Sequence, residues 1–321
     1  MSRFQGLPAG YDPWLVLSVR EEPEGGELSL AVHSDPPHPP SAARELVVLV
    51  HGFNNHMGEA AESYQGFRDR QYPLAGVAPP ALEPGLGDFF WPGDANWAGW
   101  LDQADFLVYP TAVNTAPLAG ERLATFLASL PNLMVLHFVG HSLGCRVVLE
   151  CIKKLLTLNH PLIRRVVLMA AAVPDFMVAA GGALSGAAQA AESVLVLHST
   201  SDAVLHYAFP PGQTVAGLGE GVLPVALGRF GPPAGMPGRV QAYRIGDAEH
   251  GDYWGVTGSQ VSPLSDAVRA VVAGYVAESL QLARLARALA PARRPGSQTL
   301  VGMARSAGSP RGLPQRRSGR P

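Results

Sequence analysis

Gly140-His141-Ser142-Leu143-Gly144 sets a serine between two glycines at the spacing Gly-x-Ser-x-Gly. A serine hydroxyl is a weak nucleophile. It attacks a carbonyl carbon only when its surroundings supply a base and donors for the negative charge that develops. The pattern meets this need when a buried strand runs into the serine and a helix leaves it, because the tight turn then projects the hydroxyl above the sheet edge. Both neighbours are present: LMVLHFV precedes the first glycine and CRVVLECIKKLL, an amphipathic run, follows the second. The glycines let strand and helix approach without a Cβ. The N–H of Leu143 would then lie at a helix start, where unpaired donors and the helix dipole favour an oxyanion. The bland reading is a glycine-bounded turn without chemistry, and the strand and helix on either side weigh against it.

A second piece, His51-Gly52-Phe53-Asn54, follows ELVVLV. The loop after such a strand is where a second oxyanion donor arises, and the N–H of Phe53 is the candidate. The alternative is an ordinary turn whose histidine bonds loop backbone. The serine also needs a base, and in sites of this kind an acid and then a histidine follow it along the chain. Beyond Ser142 lie His160, His198, His206 and His250. His160, in LNHPL between a helix and a strand, falls at the wrong end of the sheet. His198 lies inside an apolar strand and reads as core. His206 follows Asp202 too closely. His250, in AEHGDYWG after the last strand-like run, is the expected base. Two positions qualify for the acid: Asp202 ends SVLVLHSTSD and Asp175 ends AAAVPDF, each at the C-terminal end of a strand. Asp202 is favoured, following the penultimate strand, with Asp175 as the alternative acid. Asp247 and Asp252 are too near His250 in sequence and are expected to order its loop.

Those side chains need a scaffold, and the hydrophobic pattern supplies one. ELVVLVHGF (45–53) carries five consecutive apolar residues rich in valine, the texture of a strand buried on both faces of a parallel sheet. The same texture returns at 86–94, 132–142, 163–171, 193–202 and 239–247. Helix-like stretches at 56–71, 117–130, 144–158 and 265–290 alternate with these strands. Strand alternating with helix predicts an α/β fold with a mostly parallel sheet covered on both faces. Near the start, 13–21 and 27–35 read as a β-hairpin joined by the glycine-containing EPEGG. Residues 93–116, with Trp97, Trp100 and Tyr109, show no clean period, and 210–238 is rich in glycine and proline. Both are expected as long irregular insertions.

Composition bounds the rest. Of 321 residues, 47% are hydrophobic and 16% charged, enough for a sizeable core. The formal charge of −2 hides a split: seven arginines and no acid follow residue 292, so the body carries −9 and the tail +7. After Pro291 the Gly/Pro/Ser/Arg composition is that of a disordered tail. Arginines confined there, without interleaved aromatics, suggest no specific nucleic-acid partner and at most weak contact with an anionic surface. Cys145 and Cys151 fall on one helix, facing different ways, so no disulfide is expected and a reducing, cytoplasmic setting fits. The first residues lack the apolar core of a signal peptide, and no apolar run is long enough for a membrane span. No His/Cys cluster has metal-ligand spacing, so neither a metal nor an organic cofactor is expected.

Taken in order, VLVHGFNN (48–55), DFFWPGD (88–94), Tyr109 with Ala112 and Asn114, FVGHSLGCRVV (138–148), AAAVPDF (170–176), STSDAVL (199–205) and EHGDYW (249–254) resemble the α/β-hydrolase superfamily. More narrowly, they are similar to the bacterial esterase/lipase-like hydrolases grouped as DUF900. That group shows an arginine four residues after its serine, a position filled here by Arg146. The resemblance covers about residues 45–260. It implies an eight-stranded, largely parallel sheet, with Ser142 as nucleophile, Asp202 as acid and His250 as base. The 210–238 stretch and the basic tail have no counterpart in the pattern. The expected whole is one α/β-hydrolase domain over 1–290, a basic tail over 291–321, and cleavage of a small acyl ester through an acyl-serine. Acyl transfer to an alcohol, or amide or thioester cleavage, would use the same site. A non-catalytic binding role would leave the serine turn, the oxyanion loop and the late histidine without a purpose. The sequence leaves the oligomeric state and the acyl chain length open.

Overall fold

In the computed structural model, the described residues are 4, 6–21, 27–37, 44–53, 55–78, 81–93, 105–216, 223–234, 236, 239–256 and 262–289, with backbone alone for 105–108. Asn54, Trp97, Trp100 and the tail over 291–321 lie outside them. Eight strands form one sheet: β1 (Val16–Arg20), β2 (Leu28–Asp35), β3 (Glu45–Val50), β4 (Leu86–Phe90), β5 (Val135–His141), β6 (Leu162–Met169), β7 (Ser193–His198) and β8 (Val240–Arg244). Their order is β2-β1-β4-β3-β5-β6-β7-β8. β1 and β2 are antiparallel, as the hairpin reading expects, and every other pair is parallel. The chain runs outward from β3 to β4, then returns past β3 to lay down β5 on its other side. At such a reversal the loops beyond the two strand ends diverge and leave a crevice, the usual ligand position in an open α/β sheet. Val50 of β3 pairs with Gly140 of β5, which brings the His51 loop beside Ser142.

The valine-rich runs are central because they bury both faces. From Leu46 to Val50 the side chains are fully buried, and so are Phe138 and Val139 of β5 and Val194 and Val196 of β7. Each such side chain contributes about 1.5–3 kcal/mol relative to exposure. The edge strands read differently: Leu30 of β2 is largely exposed, and most of β8 faces solvent.

Helices α1 (Met57–Ala75), α8 (Pro263–Leu280) and α9 (Leu282–Leu289) pack against one another, with α8 also on β6 and β7; α2 (Asp105–Ser129) and α3 (Gly144–Leu155) pack together, α3 on β3, β5 and β6. In α3 the apolar positions 147, 148, 151, 152 and 155 repeat at helical spacing and are all buried. Lys153 and Lys154 sit in its last turn, where cations complement the helix dipole. Cys145 and Cys151 are buried and unbridged. No helix among the described residues is long and apolar enough to cross a membrane.

Three expectations need correction. The helix expected at 117–130 begins twelve residues earlier, at Asp105, and runs through Pro110 and Pro117. Proline removes a helix N–H and argues for a start, but burial of Ala112, Val113 and Ala116 on the intervening turns overrides that local signal. The stretch at 210–238 is not wholly irregular: α6 (Phe209–Ala216) and α7 (Leu227–Phe230) lie within it. Pro210 and Pro211 occupy the first turn of α6, where a missing N–H costs nothing, and Phe209 and Gln213 are buried one turn apart. The single helix expected over 265–290 is two, α8 and α9, divided at Gln281, whose φ is 52°. Short helices α4 (Asp175–Val178) and α5 (Ser185–Ala190), a 3₁₀ turn over Glu83–Gly85 and a π-helical turn over Val204–Ala208 complete the described elements.

Candidate active site

Ser142 directly follows β5 with φ 52°, a left-handed conformation that L side chains rarely take. Its backbone is held on both sides: its N–H donates to the Met169 carbonyl at 2.9 Å, and its carbonyl accepts from Ala172 N at 3.1 Å. α3 starts two residues later and butts against the end of β3. A Cβ on Gly144 would stand 2.2 Å from the His51 carbonyl oxygen, so only glycine lets the helix start there. A Cβ on Gly52 would stand 2.8 Å from the Ser142 Cβ, so the loop after β3 also closes on the serine only as glycine.

The structure brings Ser142, His250 and Asp202 together. His250 Nε2 lies 2.9 Å from Ser142 Oγ, and its Nδ1 lies 2.8 Å from Asp202 Oδ2. Asp202 is fully buried, while the His250 side chain is 19% exposed. The second Asp202 oxygen, Oδ1, accepts from Leu205 N at 2.9 Å, which fixes the carboxylate plane. Adjacent strands make this possible: β7 pairs with β8, so the loops after them, carrying Asp202 and His250, emerge side by side. Asp175, the alternative acid, sits in the first turn of α4, and its N–H donates to the Val225 carbonyl. It takes no part in the His250 contacts.

The His250 loop is tied down from α8. Asp252 Oδ2 accepts from Glu249 N at 3.1 Å, and its Oδ1 accepts from Arg269 Nε at 3.1 Å and from the Ser265 hydroxyl. Asp252 thus orders the loop, as its position suggested. Trp254 closes the loop by packing edge-on to Tyr64, ring centroids 5.4 Å apart.

The His51 loop is braced through His51 itself. Its Nδ1–H donates to the Gly52 carbonyl at 2.9 Å, and its Nε2 accepts from Trp91 N at 3.2 Å. The Trp91 indole N–H returns a bond to the His51 carbonyl at 2.9 Å, and the two rings stack. Burial, with the Arg20 charge nearby, pushes the His51 pKa down to about 3, so the ring is neutral with its proton on Nδ1. His51 therefore shapes the loop, with both ring nitrogens engaged by main-chain groups of Gly52 and Trp91. Among the described residues, the N–H groups of Phe53 and Leu143 meet no acceptor. The Phe53 ring stands edge-on to Tyr109 of α2 at 5.2 Å.

Of the other histidines, His160 contacts the Pro161 carbonyl and His198 ends β7 half-buried, neither near Ser142 in hydrogen-bond terms. Trp91 and His141 were not singled out from sequence. The signal for Trp91 is its place before a proline at the end of the strand-like DFFWPGD, and the signal for His141 is its place inside the serine motif.

A search of curated proteins returns no match. Among solved structures, the carboxylesterase EstE1 cloned from a metagenomic library is 16% identical, with 79% of this chain and 83% of that chain covered and a TM-score of 0.33. Carboxyl esterase 2 from the mycorrhizal fungus Tuber melanosporum is 15% identical, with coverages of 78% and 80% and a TM-score of 0.31. The lin2722 product of Listeria innocua is 12% identical, with coverages of 74% and 94% and a TM-score of 0.37. Likenesses of this size carry no argument about activity. The model of the family described as α/β hydrolases of unknown function (DUF900) matches residues 38–220, a span that includes Ser142 and Asp202 and ends before His250. That span is more than half of the chain, and the chain belongs to this α/β-hydrolase family.

Proposed function

We propose that this protein is a serine hydrolase that cleaves a carboxylic ester through an acyl-serine intermediate. The observation that carries the reading is the unbroken line from Ser142 Oγ through both nitrogens of His250 to Asp202, at 2.9 and 2.8 Å, ending on a serine held left-handed. Asp202 accepts a hydrogen bond from the His250 Nδ1–H, which leaves Nε2 as the acceptor facing the hydroxyl. Ser142 Oγ attacks the ester carbonyl while its proton passes to His250 Nε2, and the carbonyl electron pair moves onto oxygen. The N–H groups of Phe53 and Leu143 receive that oxyanion. His250 then returns the proton to the departing alkoxide, giving acyl-Ser142 and an alcohol. Water repeats the sequence: His250 takes its proton, hydroxide adds to the acyl carbon, and Ser142 leaves reprotonated with release of the acid. Asp202 stays ionised throughout, orienting the ring and stabilising the imidazolium.

The test pairs a fluorophosphonate probe with p-nitrophenyl esters of graded acyl length. Wild-type protein is expected to take one label and to turn over at least one ester. Ser142→Ala is expected to take none and to lose several orders of magnitude in kcat, with the remnant supplied by the oxyanion donors. Full labelling of Ser142→Ala would refute the assignment. An added alcohol that diverts the acyl group from water would redirect the reading to acyl transfer.

A further inference from the structure

His141 occupies the variable place before the serine, yet its ring is almost wholly buried and lies between the two halves of the site. Its Nε2 is 2.8 Å from the main-chain carbonyl oxygen of His250. A carbonyl can only accept, so Nε2 carries a proton. Burial, with His250 beside it, pushes the His141 pKa down to about 3. The ring is therefore neutral at ordinary pH, and that single proton is always on the nitrogen facing His250. The other nitrogen, Nδ1, is bare, and among the described residues it has no partner. It points at the oxyanion loop: a Cβ on Gly52 would stand 3.1 Å from it. The rings of His250, Tyr253 and Trp254 enclose the imidazole at 4.9, 6.0 and 6.0 Å.

We propose that His141 is a positioning residue, whose Nε2–H holds the main chain of His250 so that the base stays within reach of Ser142 Oγ. The inference rests on the reading of Ser142, His250 and Asp202 given above. Asp202 fixes the rotation of the His250 ring, but a side-chain contact alone leaves the Cα free to move with its loop. The His141 bond pins that Cα side. Because His141 is the residue before Ser142, the pin comes from the nucleophile's own backbone. Base and nucleophile are thus referenced to one strand end, in addition to the ties that hold the His250 loop to α8. A misplacement of about 1 Å at such a centre can cost on the order of 100-fold in rate.

Three variants test this, read by kcat, KM, the rate of fluorophosphonate labelling and thermal midpoint. His141→Met fills the same space without a donor. His141→Asn keeps an amide too short to reach the His250 carbonyl. His141→Gln can place its amide N–H where the imidazole N–H now stands. The Met and Asn variants are expected to lose about 10–100-fold in kcat and in labelling rate with KM little changed, and Gln to restore most of that loss. If Met fails to fold, Asn against Gln still decides. Wild-type rates in Met or Asn, or a loss in Gln equal to theirs, would overturn the role of His141 alone. Wild-type protein that takes no label would overturn the underlying reading, and this one with it.

Discussion

Replacing Asp202 by asparagine changes one atom and reverses a hydrogen-bond direction. Both oxygens of Asp202 are acceptors: Oδ1 meets the Leu205 N–H at 2.9 Å and Oδ2 meets His250 Nδ1 at 2.8 Å. The Leu205 N–H is a backbone donor at a fixed place. In Asp202→Asn the amide oxygen must therefore turn toward Leu205, which leaves the NH₂ facing His250. Nδ1 must then accept, and the imidazole proton moves to Nε2. A protonated Nε2 cannot take the Ser142 proton, although every heavy atom stays in place. The lost tautomer and the lost support for the imidazolium together predict a fall of about 10³–10⁴ in kcat, or about 4–5 kcal/mol at 1.36 kcal/mol per decade. Asp175→Asn, one strand away, is the control and should stay within about threefold of wild type. The assay is steady-state hydrolysis of the ester turned over best by wild type, with a thermal scan to show that both variants are folded. A folded Asp202→Asn within tenfold of wild type would refute the tautomer argument. A larger loss in Asp175→Asn than in Asp202→Asn would move the acid one strand earlier.

Two further predictions concern stability. Gly144→Ala should be destabilised by at least about 1–3 kcal/mol, because its Cβ would stand 2.2 Å from the His51 oxygen and 2.6 Å from the Val50 oxygen, both main-chain atoms of a buried strand end; an unchanged midpoint in denaturant would contradict that packing. His51 and His141, each lowered from 6.5 to about 3, stay neutral when folded and take up protons when unfolded between those values. Stability from each is complete above pH 6.5 and falls as pH drops, by about 3 kcal/mol at pH 4. Denaturant unfolding of wild type and His141→Gln at pH 7 and pH 4 should show a smaller loss in the variant, by about that amount, and equal losses would show that His141 is not buried neutral.

The sheet was legible because burial on both faces leaves an unmistakable texture. Val47, Val48, Phe138, Val194 and Val196 are apolar without alternation, and no amphipathic element reads that way. The candidate site was legible for a related reason. Its residues lie just beyond strand ends, so locating the strands located Ser142 and the loops of Asp202 and His250, and the parallel register brings those loops side by side. The missed pieces were decided by tertiary packing. Pro110 and Pro117 argue locally against a helix that the burial of Ala112 and Ala116 stabilises. Pro210-Pro211 looked like loop because a helix first turn and a loop tolerate proline equally. Gln281 gives no local sign of a left-handed break. Whether Asp175 or Asp202 meets the histidine depends on which loop lies beside the one after β8, and that is a fact of sheet order.

Ser142 itself shows why the motif and the fold must be read together. A left-handed, non-glycine residue costs about 1–2 kcal/mol, and nothing within Gly140–Gly144 recovers it. The compensation comes from elsewhere: Met169 at the end of β6 and Ala172 beyond it bond both backbone groups of the serine. Gly52 and Gly144 remove the two Cβ atoms that would push the turn open. A Gly-x-Ser-x-Gly segment outside such a frame would relax to an ordinary turn and aim its hydroxyl at random. In this chain the strain is held by β3, β5 and β6 together, three adjacent strands whose order is fixed by the core. The neighbouring His141 is fixed by the same frame, since its backbone continues β5 beside Met169. A residue placed that rigidly is a sound anchor for His250 on the nucleophile side, while Asp252, Trp254 and the carbonyls of Gly255 and Val256 hold the far side of its loop.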